Sequence, residues 1–194
     1  MAVLATIGRG LLNFALLFAL TIWGGMTFFF TFMNTPVVFA ELDRDTAARL
    51  LGELFPRYFG VQLVCVVVAL AALGLRVALR GAPRGLAIAG LTMLGIALLI
   101  AVYANFALLP QLQEAQARVP SFVTTPKEDP TRAAYGALHG RAMILNAVAA
   151  LLGGATLLLT AFEPRLLAGR RGQEAQDVAS AMPMAGAKRV AAAR

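Results

Sequence analysis

Four long runs of apolar residues are the feature that most restricts the fold of this chain. They are separated by shorter polar or charged segments and cover about residues 11–39, 59–75, 86–109 and 137–162. A helix needs about 20 mostly apolar residues to cross the hydrocarbon core of a bilayer, with a lower limit of about 17. We therefore predict an all-α integral membrane bundle of four transmembrane helices within residues 1–168.

The composition supports a membrane protein. Hydrophobic residues make up 59% of the chain and charged residues only 14%, whereas about 25% of the residues of a soluble domain are charged. The first apolar run is about twice as long as the 7–15 apolar residues of a secretory signal. We therefore expect it to remain as a helix of the mature protein, although Val38–Ala40 has the small-residue pattern of a cleavage site.

The distribution of charge predicts the orientation of the bundle. The connection between the second and third runs contains three arginines and no acidic residue, as is typical of a cytoplasmic loop. Both termini would then be cytoplasmic, in a multi-pass protein of the bacterial inner (cytoplasmic) membrane. The inner segments would contain ten basic and three acidic residues, and the outer segments seven of each. This explains the net charge of +7 through topology and membrane lipid, so we expect no nucleic-acid partner.

The connections between the runs carry further predictions. Ala47, Leu50, Leu51 and Leu54 are spaced as one face of a helix, which predicts a short amphipathic helix between the first two spans. Asp45 or Thr46 would cap this helix, and Pro56 would end it. It is either a plain connector in the outer interface or a lid over a cavity, and we favour the connector.

Two further boundaries follow from local composition. Pro110 is expected to close the third helix, because proline cannot continue the helical hydrogen bonds without a kink. Residues 169–194 are rich in alanine, arginine and glycine and have no periodic apolar face. We therefore predict a disordered, basic cytoplasmic tail over this range.

Polar side chains at similar depth form the candidate site. Polar residues within a span must be satisfied by another helix, by backbone or by water. His139, Met143 and Asn146 share one face of the fourth helix, by their spacing of four and three residues. The site could bind a solute, or its side chains could only bond the helices together. The predicted outer halves of the spans contain Asn34, Gln62, Asn105, His139 and Asn146.

Sulfur atoms suggest a second, weaker hypothesis. Thioether and thiol groups on all four helices could form a path for a soft metal such as copper(I) or platinum(II). Methionine is more often a filler of apolar cores, and we favour that interpretation. The single cysteine excludes an internal disulfide, and we expect no bound cofactor. The residues of this path are Met26, Met33, Cys65, Met93 and Met143.

Three sequence elements resemble those of the transmembrane protein 205 like proteins. They are Gly24-Gly25 followed by a phenylalanine-rich stretch to Pro36, then the segment 54–59, and His139-Gly140 followed by Asn146. The resemblance covers roughly residues 20–160 and implies a four-helix membrane domain of unknown function.

The human member is associated with resistance to platinum drugs, so the resemblance also implies a possible export role. Two departures weaken this implication. Ala142 stands where the family has a serine, and Cys65 is the sole cysteine.

Two classes of function therefore remain. The first is transport of, or resistance to, a small solute or soft-metal complex, which predicts an aqueous cavity reaching His139 and Asn146. The second is a noncatalytic scaffold or assembly partner with a dry interior, acting as a homo-oligomer or with another membrane protein. We do not expect an enzyme, because no span contains a carboxylate and no serine lies near His139 to act as a nucleophile.

Overall fold

The computed structural model describes residues 2–79 and 84–181, and this part of the chain is almost entirely helical. Four of its helical stretches are long and apolar enough to cross a membrane, namely Thr6–Glu41, Arg44–Ala78, Gly85–Ala117 and Pro130–Glu163. The predicted all-α bundle of four transmembrane helices is therefore confirmed. The elements in chain order are α1 (Ala2–Phe28), a π-helical segment (Phe29–Asn34), α2 (Thr35–Glu41), α3 (Arg44–Ala78), α4 (Arg84–Tyr103), a second π-helical segment (Ala104–Leu108), α5 (Leu109–Ala117) and α6 (Pro130–Ala181).

The chain divides into two compact units, Met1–Leu158 and Leu159–Arg194. The first unit contains three hydrophobic core clusters and the two cavities described below. The second unit contains the last part of α6. Of the predicted disordered basic tail, residues 169–181 are helical, and the alanine, glutamine, glutamate and arginine in this range are all good helix formers. The rest of that predicted tail, residues 182–194, lies outside the described residues.

Helical structure continues through the two prolines that were expected to end it. The predicted short amphipathic helix is the first part of α3, which includes Pro56. Pro110 lies near the start of α5 and does not close the third span. Both predicted ends were wrong, because a backbone in a membrane gains strongly from keeping its hydrogen bonds inside the helix.

Each of the two π-helical segments ends two residues before a proline, at Asn34 before Pro36 and at Leu108 before Pro110. The wider π turn moves the hydrogen bond by one residue, so that the Thr35 amide donates to the Phe30 carbonyl. The proline then occupies one of the first two positions of the next α-helix, where a missing N–H is tolerated. The π segments thus allow a proline within a continuous span.

The start of α3 also differs from the prediction. Asp43, rather than Asp45 or Thr46, is the N-cap, and its Oδ1 accepts hydrogen bonds from the amides of Asp45 and Thr46 at 3.0 Å each. The Thr46 amide is the main cause that lowers the pKa of Asp43. Asp45 instead accepts from Ser121 Oγ at 2.7 Å and from the Phe122 amide. It therefore ties the connection before α6 to α3.

The main core is built from one large ring and several small residues. Trp23 of α1 is 1% exposed and packs with alanines that are fully buried on α3, α4 and α6. Gly153 of α6 lies directly against the Trp23 ring, since a Cβ built on Gly153 would be 2.5 Å from Cζ3 of the indole. Small side chains at such positions let helices approach closely. The alanines are Ala69, Ala97 and Ala149.

We predict that Gly153→Ala destabilises the protein. The new methyl group would overlap the indole of Trp23, and overpacking of this kind costs about 1–3 kcal/mol. Thermal unfolding in detergent, followed by Trp23 fluorescence, measures the effect. Gly154→Ala is the matched control, because a Cβ there meets nothing within 4 Å and alanine favours the helix. Equal unfolding temperatures for the two variants would contradict the close contact.

Candidate functional site

Two neighbouring cavities lie at the end of the bundle where the first and third connections are found. The first, here called the Tyr58 cavity, has a volume of about 190 Å³ and is walled mainly by aromatic and aliphatic side chains. The second, the Arg132 cavity, has a volume of about 320 Å³ and is lined by both aromatic and basic residues. Thr35, Phe55 and His139 line both cavities. These three residues therefore form the boundary between them.

His139 contacts two aromatic rings at this boundary. The imidazole stacks on Tyr135 of the same helix, with ring centroids 5.8 Å apart and an angle of 14° between the planes. It also meets Phe55 of α3 edge to face, with ring centroids 6.4 Å apart. His139 Nδ1 is buried and has no hydrogen-bond partner among the described residues. A buried nitrogen without a partner is costly in a folded protein and requires an explanation, of which a functional role is one.

Asn146 takes part in a polar chain that joins three helices. The hydroxyl of Tyr58 on α3 donates to Asn146 Oδ1 on α6 at 2.8 Å. The same hydroxyl lies 3.1 Å from Thr27 Oγ1 on α1. Tyr58 is buried, and Phe30 packs against its ring with centroids 4.9 Å apart. Tyr58 therefore fixes the position of Asn146 in the cavity wall.

The other three predicted polar residues do not line either cavity. Asn105 donates from Nδ2 to the carbonyls of Phe59 at 3.1 Å and Ala101 at 2.8 Å, so it bonds the third span to α3. Gln62 is 1% exposed within α3. Asn34 lies in the first π-helical segment, and its buried Nδ2 has no partner among the described residues. Of the predicted polar cluster, the structure brings only His139 and Asn146 into one cavity.

The sulfur atoms are spread over different surroundings. Met33 and Met143 are 54% and 61% exposed, and only Met143 lines a cavity. Cys65 belongs to the Trp23 core, whereas Met26 packs against a separate cluster around Tyr58 and Phe59. Met93 Sδ accepts from Thr156 Oγ1 at 3.8 Å. The described residues also contain no group of three or more histidine, cysteine or acidic residues suited to a metal ion.

Several cavity residues were not among the sequence candidates. Tyr58 could have been identified, because a tyrosine in an apolar run needs a hydrogen-bond partner for its hydroxyl. The basic residues of the Arg132 cavity come from the start of α3, the third connection and the start of α6. No local pattern predicts that these segments meet. The basic residues are Arg44, Lys127 and Arg132.

We predict that Tyr58→Phe destabilises the protein by about 1 kcal/mol, because it leaves the half-buried Asn146 oxygen without its donor. Thermal unfolding in detergent measures this loss. Tyr103→Phe is the matched control, since Tyr103 is exposed on the third span and its change should be nearly neutral. If the two variants unfold at the same temperature, the hydrogen bond to Asn146 contributes nothing to stability.

Comparison with known proteins places the chain in a family. The family model described as a domain of unknown function, DUF4149, matches residues 18–121. The match includes Tyr58 and Asn105 and ends before His139 and Asn146. No curated protein and no solved structure matches the chain. Because the matched region is more than half of the sequence, the chain belongs to the DUF4149 family, whose members share a domain of unknown function.

Proposed function

We propose that this protein binds a small solute inside the bundle and acts in its transport across, or resistance at, the bacterial inner membrane. The observation that carries the proposal is the position of His139, which lines two adjoining cavities and has a buried ring nitrogen without a partner. A cavity with few well-placed polar groups is the usual form of a small-molecule site. The two cavities together extend from the connections to Asn146.

The resemblance to the transmembrane protein 205 like proteins supports the same location. Phe55, Tyr58 and Phe59 of one shared element, and His139 of another, line the Tyr58 cavity. The parts of the chain that carry the resemblance are therefore the walls of the proposed site. An export or resistance role is the function that this resemblance implies.

The surroundings of the sulfur atoms favour a small organic solute over a soft-metal complex. Only Met143 contributes sulfur to the cavity walls, and one thioether is a weak ligand set for a soft metal. We propose the orientation with both termini in the cytoplasm, which places the two cavities towards the outer face. We also propose a non-enzymatic role, with membrane lipid as the surrounding partner.

A membrane scaffold is the second candidate, and a specific observation favours it. Tyr58 bonds Asn146, and Asn105 bonds the Phe59 carbonyl, so these polar groups already satisfy one another. A scaffold, working as a homo-oligomer or with another membrane protein, would need these polar groups only to hold its helices together. Access of water to the Tyr58 cavity distinguishes the two candidates.

We predict that a cysteine at position 142 reacts from the outer side with a membrane-impermeant thiol reagent. Ala142 is buried and lines the Tyr58 cavity, so Ala142→Cys in a Cys65→Ala background reports on water within the bundle. Labelling in intact cells and in inverted vesicles shows the side from which the reagent enters.

Two control positions define the limits of this assay. Thr124→Cys in the exposed third connection should label from the outside. Leu151→Cys should stay unlabelled, since Leu151 is 74% exposed on the surface of α6 and faces lipid, where a thiolate does not form. If position 142 is as unreactive as position 151 while position 124 reacts, the interior is dry and the scaffold replaces the transport proposal.

A further inference from the structure

We propose that the solute is an amphipathic organic anion, with its carboxylate or phosphate head in the Arg132 cavity and its apolar body in the Tyr58 cavity. This inference rests on the proposed function and adds the chemical class of the solute. It follows from the different chemistry of the two cavities and from the residues at their boundary.

The Arg132 cavity is a cationic site. Arg44, Lys127 and Arg132 line it, and no carboxylate is among its lining residues. Four acidic residues lie within two positions of these cations in sequence. Asp43, Asp45 and Asp129 accept hydrogen bonds from other groups, and Glu128 is exposed and does not line the cavity. Within the described part of the chain, neither Arg44 nor Lys127 forms an ion pair. Three cations without a bound acid favour an anionic group from a ligand.

Arg132 is already positioned for such a contact. Its Nη1 donates to the Thr125 carbonyl, and its guanidinium carbon lies 6.0 Å from the centroid of the Phe122 ring. Phe122 in turn meets Tyr135 edge to face at 5.0 Å. A guanidinium has five N–H donors, so this arrangement fixes the group and leaves donors for a carboxylate or phosphate. A fixed donor loses less entropy on binding than a mobile one.

The Tyr58 cavity suits an apolar group. Phe30, Phe59, Leu112 and Met143 are among its walls. Its two main polar groups, the Tyr58 hydroxyl and Asn146 Oδ1, are already bonded to each other at 2.8 Å. A hydrocarbon or aromatic body in this space would therefore leave the hydrogen bond between these two groups intact.

His139 lies where the head and body of such a ligand would join. It lines both cavities, and its unpartnered Nδ1 is available to the polar part of a ligand once the side chain reorients. The Tyr135 ring stacked beside it adds an aromatic surface at this junction. The site thus has a cationic compartment, a polar junction and an apolar compartment in that order.

Two sources could supply this chemistry, a fatty acid or lipid from the bilayer and an amphipathic acid from solution. The probe is dodecanoate with a photoreactive diazirine on its chain, added to the full-length protein in dodecyl maltoside micelles, with attachment mapped by mass spectrometry. The matching diazirine derivative of dodecan-1-ol has the same body and no charge. Unlabelled dodecanoate and 1-naphthoate serve as competitors for the two sources.

We expect saturable attachment of the dodecanoate probe to peptides that contain Phe55–Phe59 or Ala142–Asn146. Arg44→Gln/Lys127→Gln/Arg132→Gln should weaken it about tenfold or more, as should replacing the acid by the alcohol. Arg49→Gln/Arg57→Gln/Arg118→Gln is the charge-matched control, because these arginines lie at the same end of the bundle but do not line the Arg132 cavity. Unfolding temperatures verify that each variant is folded. If the loss of the Arg132 bond to Thr125 unfolds the triple variant, Arg44→Gln/Lys127→Gln replaces it.

The possible outcomes separate this inference from the proposed function. Competition by dodecanoate alone indicates a lipid source and competition by 1-naphthoate a soluble one, and either result supports an amphipathic anion. Two results would show that the solute is not recognised as an anion. One is equal attachment of the acid and the alcohol probes, and the other is equal loss of probe attachment in the two triple variants. Saturable attachment of neither probe also overturns the inference. The labelling of Ala142→Cys tests the proposed transport function separately, because it does not depend on the charge of the solute.

Discussion

The hydrocarbon core of a bilayer offers no hydrogen-bond partner to a peptide group, and this constraint governs the form of the whole chain. Each backbone N–H and C=O in a span must be satisfied within the protein, so the helix must continue wherever it can. Pro36 and Pro110 would interrupt such a helix in water, yet both are accommodated by a preceding π-helical segment. Asn105, within the second of these segments, adds two side-chain hydrogen bonds to backbone carbonyls.

Side-chain size differs between two regions of the bundle, a tightly packed core around Trp23 and a region near the connections that contains cavities. Around Trp23, alanine and glycine residues bring the helices together and leave the indole in direct contact with Gly153. Near the connections, large aromatic side chains predominate, and the rings of Phe30 and Phe55 have centroids 5.5 Å apart. The Tyr58 and Arg132 cavities lie among these rings.

Much of the fold could be predicted from the sequence, because apolar length alone identifies a spanning helix. The errors lie at the ends of helices. Pro56 and Pro110 were treated as terminators, a rule that holds where water can satisfy a freed carbonyl. Asp43 and Asp45 both suit a cap, and tertiary contact with Ser121 decides between them.

The candidate site was predictable only in part. His139 and Asn146 could be paired in advance, because helical periodicity places them on one face, and both line the Tyr58 cavity. The sequence could not predict that Arg44 and Arg132 lie near His139, because this depends on how segments far apart in the chain pack together. The sulfur residues show the same limit. Their presence on every span allowed a path only as the weaker of two hypotheses, and Met33 and Cys65 in fact lie in different environments, Met33 exposed and Cys65 in the Trp23 core.

The contact between Trp23 and Gly153 has a mechanical consequence. Gly153 is seven residues beyond Asn146, or roughly 10 Å along the axis of α6 at about 1.5 Å per residue. Because the indole lies directly against the backbone of Gly153, sliding of the fourth span along the first would be resisted at this level. Any rocking of α6 against α1 would therefore turn about this contact. The displacement would increase with distance from it, past the chain of Thr27, Tyr58 and Asn146 about 10 Å away, and would be larger still at Pro130, where α6 begins.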